Sequence, residues 1–346
     1  MEGNNLIKKG VVFAVILLFI GTCIIPSATS QFTTSKLTNG NNIITVDDEP
    51  GDADFTSIKE AVNYSSSGDT IEVYSGIYRE EGIRIEKDNI TLLGISHELG
   101  EGDDSGKPFI KPDGNATVIV VNASHVIVSN FRIEKLSSSF CIHLGSDKPN
   151  LNQNNNTISD CIIRNPYGYG IKVYRIGRDI NIINNQITNC NTVGIDAFSS
   201  HFNIKGNVIT DCVHAGISIL GSMENISYNT IKRCGTGIRI YGSNNIIYGN
   251  EFEACSTGIS NENGGSNRII KNNFKEYWYF KPWFLLSFWD LGTKDRYIGN
   301  YWDTWKGVGP KRIPGILILG IPFTYILIPI PWFAFDLHPA SEPYDI

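Results

Sequence analysis

A short repeat between residues 185 and 277 constrains the fold more than any other sequence feature. Each copy reads Asn-x-Ile-x-x-Cys-x-x-x-Gly-Ile, and a new copy begins about every 22 residues. The copies open at Asn185, Asn207, Asn229, Asn250 and Asn272. The cysteine column contains Cys190, Cys212, Cys234 and Cys255, with Tyr277 in the last copy. A fixed period in this range is typical of solenoids, in which identical structural units stack on one another.

The length and composition of the repeat favour short strands. About 22 residues suffice for three strands of roughly four residues joined by tight turns. Because side chains alternate along a strand, Ile217 and Ile219 are expected to point inward while Ser218 and Leu220 point outward. The Asn column suits turns, where Asn tolerates left-handed geometry and can form a hydrogen-bonded ladder. The Gly column suits a bend without room for a side chain.

The segment before the repeat predicts a capping helix followed by strands. Residues 54–67 read as a short amphipathic helix, in which Ser57 and Glu60 can form a capping box. Its apolar face contains Phe55, Ile58, Ala61 and Val62. Strand-like runs bounded by turn residues follow at 70–74, 82–85, 90–93, 118–121 and 126–128.

These residues together resemble a known group of proteins. The segment from Phe55 to Val62, followed by Gly68-Asp69-Thr70-Ile71 and Gly76-Ile77-Tyr78, resembles the N-terminal cap and first coil of pectin-lyase-like folds. With the repeat, it is similar to the carbohydrate-binding and sugar-hydrolase β-helices that include the NosD-like copper-accessory family. The resemblance implies an all-β, single-stranded right-handed parallel β-helix over residues 43–277. It constrains activity weakly, because the matching positions are structural.

The N-terminus predicts an exported protein. Lys8 and Lys9 precede an apolar run, and Ala28-Thr29-Ser30 offers a small-residue cleavage site. We therefore expect a signal peptide at residues 1–30 and a polar linker at residues 31–42, with an uncleaved anchor as the alternative. Six Asn-x-Ser/Thr sequons are compatible with a glycosylated, secreted or cell-surface protein: Asn63, Asn89, Asn115, Asn122, Asn155 and Asn225.

Composition changes after residue 277, where an aromatic-rich C-terminal cap is expected at 278–346. All six tryptophans lie there, and the segments 300–305 and 335–340 resemble the tail that closes many archaeal surface β-helices. A cap would cover the strand edges and core end that the last coil exposes. Residues 313–335 carry no charge, so a membrane span is the alternative. Pro314, Pro322, Pro329 and Pro331 would break a helix and favour a capping hairpin.

The position after each Gly-Ile pair predicts where a binding site would lie. Coil by coil, it is occupied by His143, Lys172, Asp196, Ser218, Arg239 and Ser260. Two residues further along stand Tyr174, Phe198, Leu220 and Tyr241. Aromatic rings beside polar groups suit stacking on sugar rings. The predicted ligand-binding residues are therefore His143, Lys172, Asp196, Arg239, Tyr174, Phe198 and Tyr241. The alternative is a solvated face with incidental ion pairs.

The resemblance does not extend to a known catalytic set. Pectate lyases use clustered acidic residues for calcium and a basic catalytic residue, whereas polygalacturonases use several aspartates with Gly-His-Gly and Arg-Ile-Lys motifs. Here Gly170-Ile171-Lys172 lacks the leading Arg, and Asp196 is the one acidic residue of the stripe. A glycosidase needs two carboxyl groups at a defined separation. No catalytic residue is predicted; if the chain is an enzyme, the candidates are Lys172, Asp196 and Arg239.

Two features invite a metal interpretation. The Cys column could bind Cu(I) or form disulfides, but parallel Cβ vectors about 4.8 Å apart fit a disulfide poorly and favour an apolar core stack. The acidic segments Asp47-Asp48-Glu49 and Glu101-Asp103-Asp104 could hold Ca²⁺, yet neither has EF-hand spacing. We interpret the two acidic segments as solvated loops. No metal or cofactor is predicted, with Ca²⁺ and Cu⁺ as alternatives.

Composition narrows the choice of partners. The chain has 29 basic and 35 acidic residues and a net charge of −6, which argues against nucleic acid as a partner. Membrane contact is expected only through the signal segment or residues 313–335. The leading hypothesis is a surface protein that binds polysaccharide. A divergent polysaccharide lyase or hydrolase is the first alternative, and a NosD-like role in copper delivery is the second.

Overall fold

The computed structural model describes residues 42–100, 102–145, 153–174, 178–262, 264–275, 288–290, 295–303, 305–306, 309–320 and 327–346. The chain is an all-β parallel solenoid of about 10 turns with about 23 residues per turn, and the predicted fold class is confirmed. The expected signal peptide and all of the expected linker except Asn42 lie outside the described residues.

The described strands of the solenoid form three parallel columns, here called sheets 1, 2 and 3. Sheet 1 contains Ile43–Val46, Thr70–Val73, Thr91–Gly94, Ile127–Ser129, Thr157–Ser159, Ile180–Ile183, Phe202–Lys205, Asn225–Ser227, Ile246–Tyr248, Arg268–Ile270 and Arg296–Ile298. Sheet 2 contains Ile83–Ile85, Ile119–Val121, Phe140–Leu144, Tyr169–Tyr174, Val193–Phe198, Ala215–Ile219, Thr236–Ile240, Thr257–Asn261 and Phe288–Asp290. Sheet 3 contains Ile77–Tyr78, Phe109–Ile110, Arg132–Glu134, Ile162–Arg164, Gln186–Thr188, Val208–Thr210, Thr230–Lys232, Glu251–Glu253, Asn273–Lys275 and Tyr301–Trp302. Each strand pairs in register with its equivalent in the next coil, so equivalent side chains form columns along the solenoid.

The repeated isoleucines form the core. The sheet 3 column continues from Ile187, Ile209 and Ile231 to aromatic residues, all of which are buried. The ring centroids of Phe252 and Phe274 lie 4.9 Å apart, and those of Phe274 and Trp302 lie 4.2 Å apart, in stacked geometry. Full burial of such a side chain contributes about 1.5–3 kcal/mol, so each coil stabilises its neighbours.

Parallel pairing continues beyond residue 277, where a boundary was expected. Tyr301–Trp302 pairs with the strand Asn273–Lys275, and Arg296–Ile298 pairs with Arg268–Ile270. Asn300 and Trp302 therefore occupy the Asn and Ile columns of one more copy of the repeat. The interval from Asn272 to Asn300 is 28 residues, which conceals this copy from a search at the usual period.

The Asn column forms a continuous ladder inside the solenoid. The backbone N–H and the Nδ2 of Asn207 both donate to Oδ1 of Asn229, each at 2.9 Å, and Nδ2 also donates to the Ile182 carbonyl at 2.8 Å. The same contacts recur along Asn185, Asn207, Asn229, Asn250, Asn272 and Asn300. The left-handed residue is the one before each Asn, such as Tyr228 with φ 56°, so the predicted left-handed geometry belongs to the neighbour.

The ladder ends in a carboxylate. Asp336, which is buried, accepts from the backbone N–H of Asn300 at 2.9 Å and from its Nδ2 at 3.0 Å. Indole Nε1 of Trp302 and the N–H of Gly299 donate to the same carboxylate. An Asp fits this last position because a carboxylate accepts hydrogen bonds without needing an acceptor of its own.

A second, less regular ladder precedes the sheet 1 strands. Asn245 Oδ1 accepts from the N–H of Glu224 at 2.9 Å, and Asn267 Oδ1 accepts from the N–H of Asn245 at 3.0 Å. Glu224 stands where its neighbours have Asn, and its carboxylate accepts from the N–H of Phe202. Burial raises the pKa of Glu224 to about 8. This position therefore holds a carboxyl group that favours its protonated form near neutral pH.

The Gly column is explained by close packing. A Cβ on Gly216 would lie 2.6 Å from Cγ2 of Ile231 and 2.9 Å from the carbonyl oxygen of Gly237. Equivalent contacts with the next coil confine Gly194 and Gly237. No side chain fits between the coils at this bend, as the repeat pattern predicts.

In the described part of the chain, one helix covers the first coils. It runs Ile58–Tyr64, shorter than the predicted 54–67 span, and it buries Ile58, Ala61 and Val62. Ser57 Oγ accepts from the N–H of Glu60 at 3.2 Å, which is half of the predicted capping box. The other helix-start contacts come from Glu80, whose carboxylate accepts from the N–H groups of Ile58 and Lys59 at 2.9 Å.

The uncharged C-terminal segment contains a hairpin. Strands Lys311–Gly320 and Leu327–Asp336 pair antiparallel, and they extend sheets 2 and 1 by pairing parallel with the last coil at Asp290 and Tyr297. Among the described residues, no helix has the length and apolar character needed to cross a membrane. The strand geometry agrees with the capping hairpin expected from the prolines.

Candidate functional site

The residue after each Gly-Ile pair lies on the outer face of sheet 2, in register from coil to coil. His143 stands next to Lys172, Lys172 next to Asp196, and Asp196 next to Ser218. Arg239 and Ser260 continue the column. We call this column, with Tyr174, Phe198, Leu220 and Tyr241 beside it, the sheet 2 stripe.

The middle of the stripe is a cation held between a carboxylate and aromatic rings. Nζ of Lys172 forms an ion pair with Oδ2 of Asp196, as their adjacent coils predict. The same Nζ lies 4.4 Å from the ring centroid of Phe198, 5.4 Å from that of Tyr169 and 5.9 Å from that of Tyr174. The side chains of Lys172 and Asp196 are only 15% and 8% exposed. Low exposure strengthens both the ion pair and the cation–π contacts.

Aromatic side chains extend this region in both directions. The rings of Tyr174 and Phe198 lie 5.7 Å apart, and Phe140 lies 5.4 Å from Tyr169. His143 packs against Phe140 at 5.2 Å. Tyr241 lies further along the stripe and is 37% exposed. The outer face of sheet 2 thus presents partly exposed rings beside a charged pair.

A second polar group lies around Arg239. Nε of Arg239 is 3.7 Å from Oε1 of Glu262, and the hydroxyl of Ser260 donates to Oε1 of Glu262 at 2.9 Å. Sequence reasoning missed Glu262. It lies two residues after Ser260, at the position that an aromatic residue occupies in several other copies. Tyr241 is the equivalent residue one coil earlier, which is the signal that places Glu262 in the same column.

The carboxyl groups of the stripe are too far apart for glycoside hydrolysis. Asp196 and Glu262 belong to coils three steps apart, which at the strand spacing corresponds to about 14 Å. Inverting glycosidases hold their two carboxyl groups about 6.5–9.5 Å apart, and retaining enzymes hold them closer. Lys172 pairs with Asp196, and Arg239 separately contacts Glu262. Two polar contacts spaced along the stripe suit the binding of an extended ligand.

The cysteine column lies in the core. Cys161, Cys190, Cys212, Cys234 and Cys255 are buried, and their thiols are free. Burial raises the pKa of Cys161 to about 11, and hydrogen bonding to Cys190 together with burial raises the pKa of Cys212. Metals bind the thiolate, so protonated and enclosed thiols are poor Cu(I) ligands. The structure agrees with the interpretation of this column as a core stack.

The acidic segments near the N-terminal end agree only in part with the solvated loops expected from sequence. Asp103 and Asp104 are exposed, Glu101 lies outside the described residues, and Asp47 is the departure from that expectation. Ligand oxygens of Asp47, Asp48 and Glu49 lie within 4.8 Å of one another, as do those of Glu49, Glu98 and Asp104. Asp47 is fully buried. The two segments meet because their loops follow sheet 1 strands of the same stack, Ile43–Val46 and Thr91–Gly94, with the strand Thr70–Val73 between them. We call Asp47, Asp48, Glu49, Glu98 and Asp104 the acidic cluster.

Comparison with known proteins agrees with this fold. Residues 147–307 match the family model described as "NosD: Periplasmic copper-binding protein (NosD)". No curated protein sequence matches the chain significantly. The predicted resemblance to NosD-like parallel β-helix proteins is confirmed.

Solved structures show the same architecture at low sequence identity. A mutant DFA-IIIase from Arthrobacter chlorophenolicus A6 in complex with DFA-III has a TM-score of 0.57 and 15% identity, over 74% of this chain and 76% of that chain. The enzymatically active domain of bacteriophage CBA120 tailspike protein 2 has a TM-score of 0.50 and 12% identity, over 81% of this chain and 43% of that chain. At these identities the likeness concerns the fold alone.

Proposed function

We propose that the sheet 2 stripe binds polysaccharide. The observation that carries this proposal is the Lys172–Asp196 pair enclosed by the rings of Tyr169, Tyr174 and Phe198. Rings of this kind stack on the apolar faces of sugars, and a fixed charge pair orients hydroxyl or carboxylate groups. The repeat spacing continues the surface to Arg239 and Glu262, so the stripe fits a linear glycan lying along the solenoid.

The comparisons support this proposal by analogy. The similar DFA-IIIase is a carbohydrate-active enzyme, so a fold of this kind supports carbohydrate recognition. Fold alone does not determine activity, and the argument therefore rests on the stripe. A polysaccharide lyase or hydrolase would use Lys172, Asp196 and Arg239 on the same surface, but the separation of the carboxyl groups argues against hydrolysis.

Aromatic substitution tests the proposal. Polysaccharides of acidic and neutral composition are screened for binding to the purified chain, and Tyr174→Ala and Tyr241→Ala are compared with the unmodified protein. Loss of one stacked ring removes about 0.5–1.5 kcal/mol beyond its buried area, so we expect binding at least about threefold weaker. Tyr228→Ala is the matched control, because Tyr228 is an exposed aromatic residue that directly follows the sheet 1 strand Asn225–Ser227, away from the stripe.

The outcomes of this screen separate the alternatives. Equal losses for Tyr174→Ala and Tyr228→Ala, or no binding to any glycan, would refute a site on the stripe. Release of unsaturated or reducing products, abolished by Lys172→Ala or Asp196→Ala, would instead identify an enzyme. We expect binding without product formation.

Copper delivery is the second candidate, favoured by the match of residues 147–307 to a family described as copper-binding. The buried cysteine column does not fit this role, since its thiols are enclosed in the core and the pKa of Cys212 is raised by hydrogen bonding to Cys190 and by burial. We expect Cys212→Ala with Cys234→Ala to leave Cu(I) binding unchanged in a competition assay with a chromophoric chelator. Stoichiometric uptake that is lost in the double variant would favour the copper function.

We also propose that the chain is exported through residues 1–30 and acts outside the cytoplasm. The basic residues, apolar run and small-residue cleavage site support this proposal, as does the description of the matching family as periplasmic. N-terminal sequencing of protein recovered from the producing cells tests it, with cleavage before Gln31 expected. An intact Met1 on cytoplasmic protein would contradict it. The same sample, analysed by mass spectrometry, shows whether the sequons carry glycans.

A further inference from the structure

The acidic cluster lies at the corner where the sheet 1 strands of the first coils end. Asp47 directly follows the strand Ile43–Val46, and Glu98 lies in the loop after Thr91–Gly94. Backbone hydrogen bonds tie these layers together: the N–H of Ser75 donates to the His97 carbonyl at 3.1 Å. The cluster therefore gathers carboxylates from two separate loops onto one rigid scaffold, apart from the sheet 2 stripe.

Most oxygens that face the centre of the cluster have no hydrogen-bond donor. Both carboxylate oxygens of Asp47 are buried and without a partner. The same holds for Oδ1 of Asp48, Oε2 of Glu49 and Oε2 of Glu98. The other oxygens of two of these groups are anchored: Oδ2 of Asp48 accepts from the N–H of Ile77 at 3.0 Å, and Oε1 of Glu98 accepts from the N–H of Leu99 at 3.1 Å. Each anchored carboxylate thus keeps its second oxygen free toward the cluster.

In the part of the chain that the structure describes, no basic side chain pairs with these groups. Among ion pairs between described residues, none involves a member of the acidic cluster. A buried carboxylate without a donor or counter-charge is strongly unfavourable. A bound cation would remove this cost by supplying the missing positive charge.

Local packing keeps the carboxylates together. Asp48 lies against Gly76 so closely that a Cβ there would be 1.8 Å from Oδ1 of Asp48. Gly102 makes similar room for Glu98, whose Cδ would lie 2.7 Å from an added Cβ. Two glycines thus allow acidic side chains to enter positions that any larger residue would block.

We propose that Asp47, Asp48, Glu49, Glu98 and Asp104 bind one Ca²⁺ ion. All five side chains offer hard oxygen ligands, which suit Ca²⁺ better than soft metals such as Cu(I). The five carboxylates together with water can supply the six to eight oxygens that Ca²⁺ takes, whereas Mg²⁺ demands a strict octahedron and retains its waters. The ion would link the residues that follow the first strand, Ile43–Val46, to Glu98 and Asp104, and would so stabilise the N-terminal end of the solenoid.

Calorimetry and thermal unfolding test the proposal on the full chain after EDTA treatment and removal of the chelator. We expect CaCl₂ titrated through ~10 mM to show one site per chain and to raise Tm, because extracellular Ca²⁺ modules bind with Kd of about 0.1–1 mM. MgCl₂ at the same concentration should raise Tm less. Absence of binding heat and of a Tm shift with CaCl₂ would overturn the proposal, and equal affinity for Mg²⁺ would overturn the assignment to calcium.

Two variants with opposite expectations separate ligand binding from a structural role. Asp47→Asn should weaken Ca²⁺ binding at least tenfold, yet raise Tm in EDTA, because it removes one of the repelling carboxylates. Asp103→Asn is the matched control: Asp103 is exposed, adjacent to Asp104 and outside the cluster, so its Ca²⁺ affinity should remain unchanged. Unchanged Ca²⁺ affinity in Asp47→Asn, or equal weakening in Asp103→Asn, would contradict a site built around Asp47.

Discussion

Replacing one internal ladder residue, Asn229→Ala, should destabilise the chain strongly. Oδ1 of Asn229 accepts two hydrogen bonds from Asn207, and its Nδ2 donates to the Ile204 carbonyl at 2.9 Å and to Oδ1 of Asn250 at 2.9 Å. Alanine removes all of these contacts in a place where water has no access, since Asn207 and Asn229 are both fully buried.

The expected magnitude follows from the groups that lose their side-chain partner. The backbone N–H of Asn207 and the carbonyl of Ile204 each lose the hydrogen bond made by Asn229. A buried polar group left without a partner costs about 1–3 kcal/mol, so the free energy of unfolding should fall by about 2–6 kcal/mol. Because stability in a solenoid depends on neighbouring coils, the loss should also loosen the contact between the coils on either side.

Equilibrium unfolding in urea, followed by circular dichroism, measures this loss. The control is Asn203→Ala, because Asn203 is a partly exposed residue whose side chain bonds only to neighbouring asparagines on the outer face of sheet 1. Surface substitutions of this kind change stability by about 0.5 kcal/mol. If Asn229→Ala and Asn203→Ala have the same midpoint, the ladder contributes nothing beyond ordinary polar contacts and the reasoning fails.

Three further predictions concern single buried positions. Because burial raises the pKa of Glu224 from 4.5 to about 8, its stabilising contribution is complete below about pH 4.5 and is lost as pH rises through 8. Glu224→Gln should therefore flatten the pH profile of the free energy of unfolding by up to about 5 kcal/mol, and an unchanged profile would contradict this. Gly216→Ala should lower the free energy of unfolding by about 1–3 kcal/mol, because the new methyl group would lie 2.6 Å from Cγ2 of Ile231; unaltered stability in urea would show that the bend can relax. Lys135 is fully buried and pairs with Glu81 at 2.7 Å, so Lys135→Met should lower the free energy of unfolding by about 2–4 kcal/mol. Adding Glu81→Gln should recover part of this loss, because it removes the charge left without a partner. A further fall in the free energy of unfolding would refute the pairing argument.

Much of the solenoid can be predicted from the repeat because each column has one physical role. The alternation of Ile217 and Ser218 predicts the burial of Ile217 but not that of Ser218, which is only 8% exposed although it stands on the opposite face of the strand. The close approach at Gly216 explains why no side chain is tolerated there. The copy that contains Asn300 and Trp302 escapes notice because its spacing is longer. The copies with Phe252 and Phe274 can be recognised because they keep the usual period, so the change of spacing is what hides the last copy.

Of the two candidate sites, one could be predicted from the sequence and the other could not. The register of Lys172 and Asp196 follows from the repeat period, so their contact could be predicted before the structure was known. The meeting of Glu49 with Glu98 could not, because they belong to irregular loops whose relative position depends on how the first coils stack. Long-range proximity outside the repeat has no periodic signal in the sequence.

The carboxylate at the end of the Asn ladder has a consequence for assembly. An open solenoid end resembles the growing tip of an amyloid fibril, which offers its backbone and its amide ladder to the next molecule. Asp336 accepts from Asn300 and carries no side-chain amide that could donate to a further coil, so the run of amide hydrogen bonds ends within the fold, at a fully buried residue. The residue that completes the last coil therefore also keeps the end of the Asn ladder away from the surface, where a second molecule could otherwise extend it.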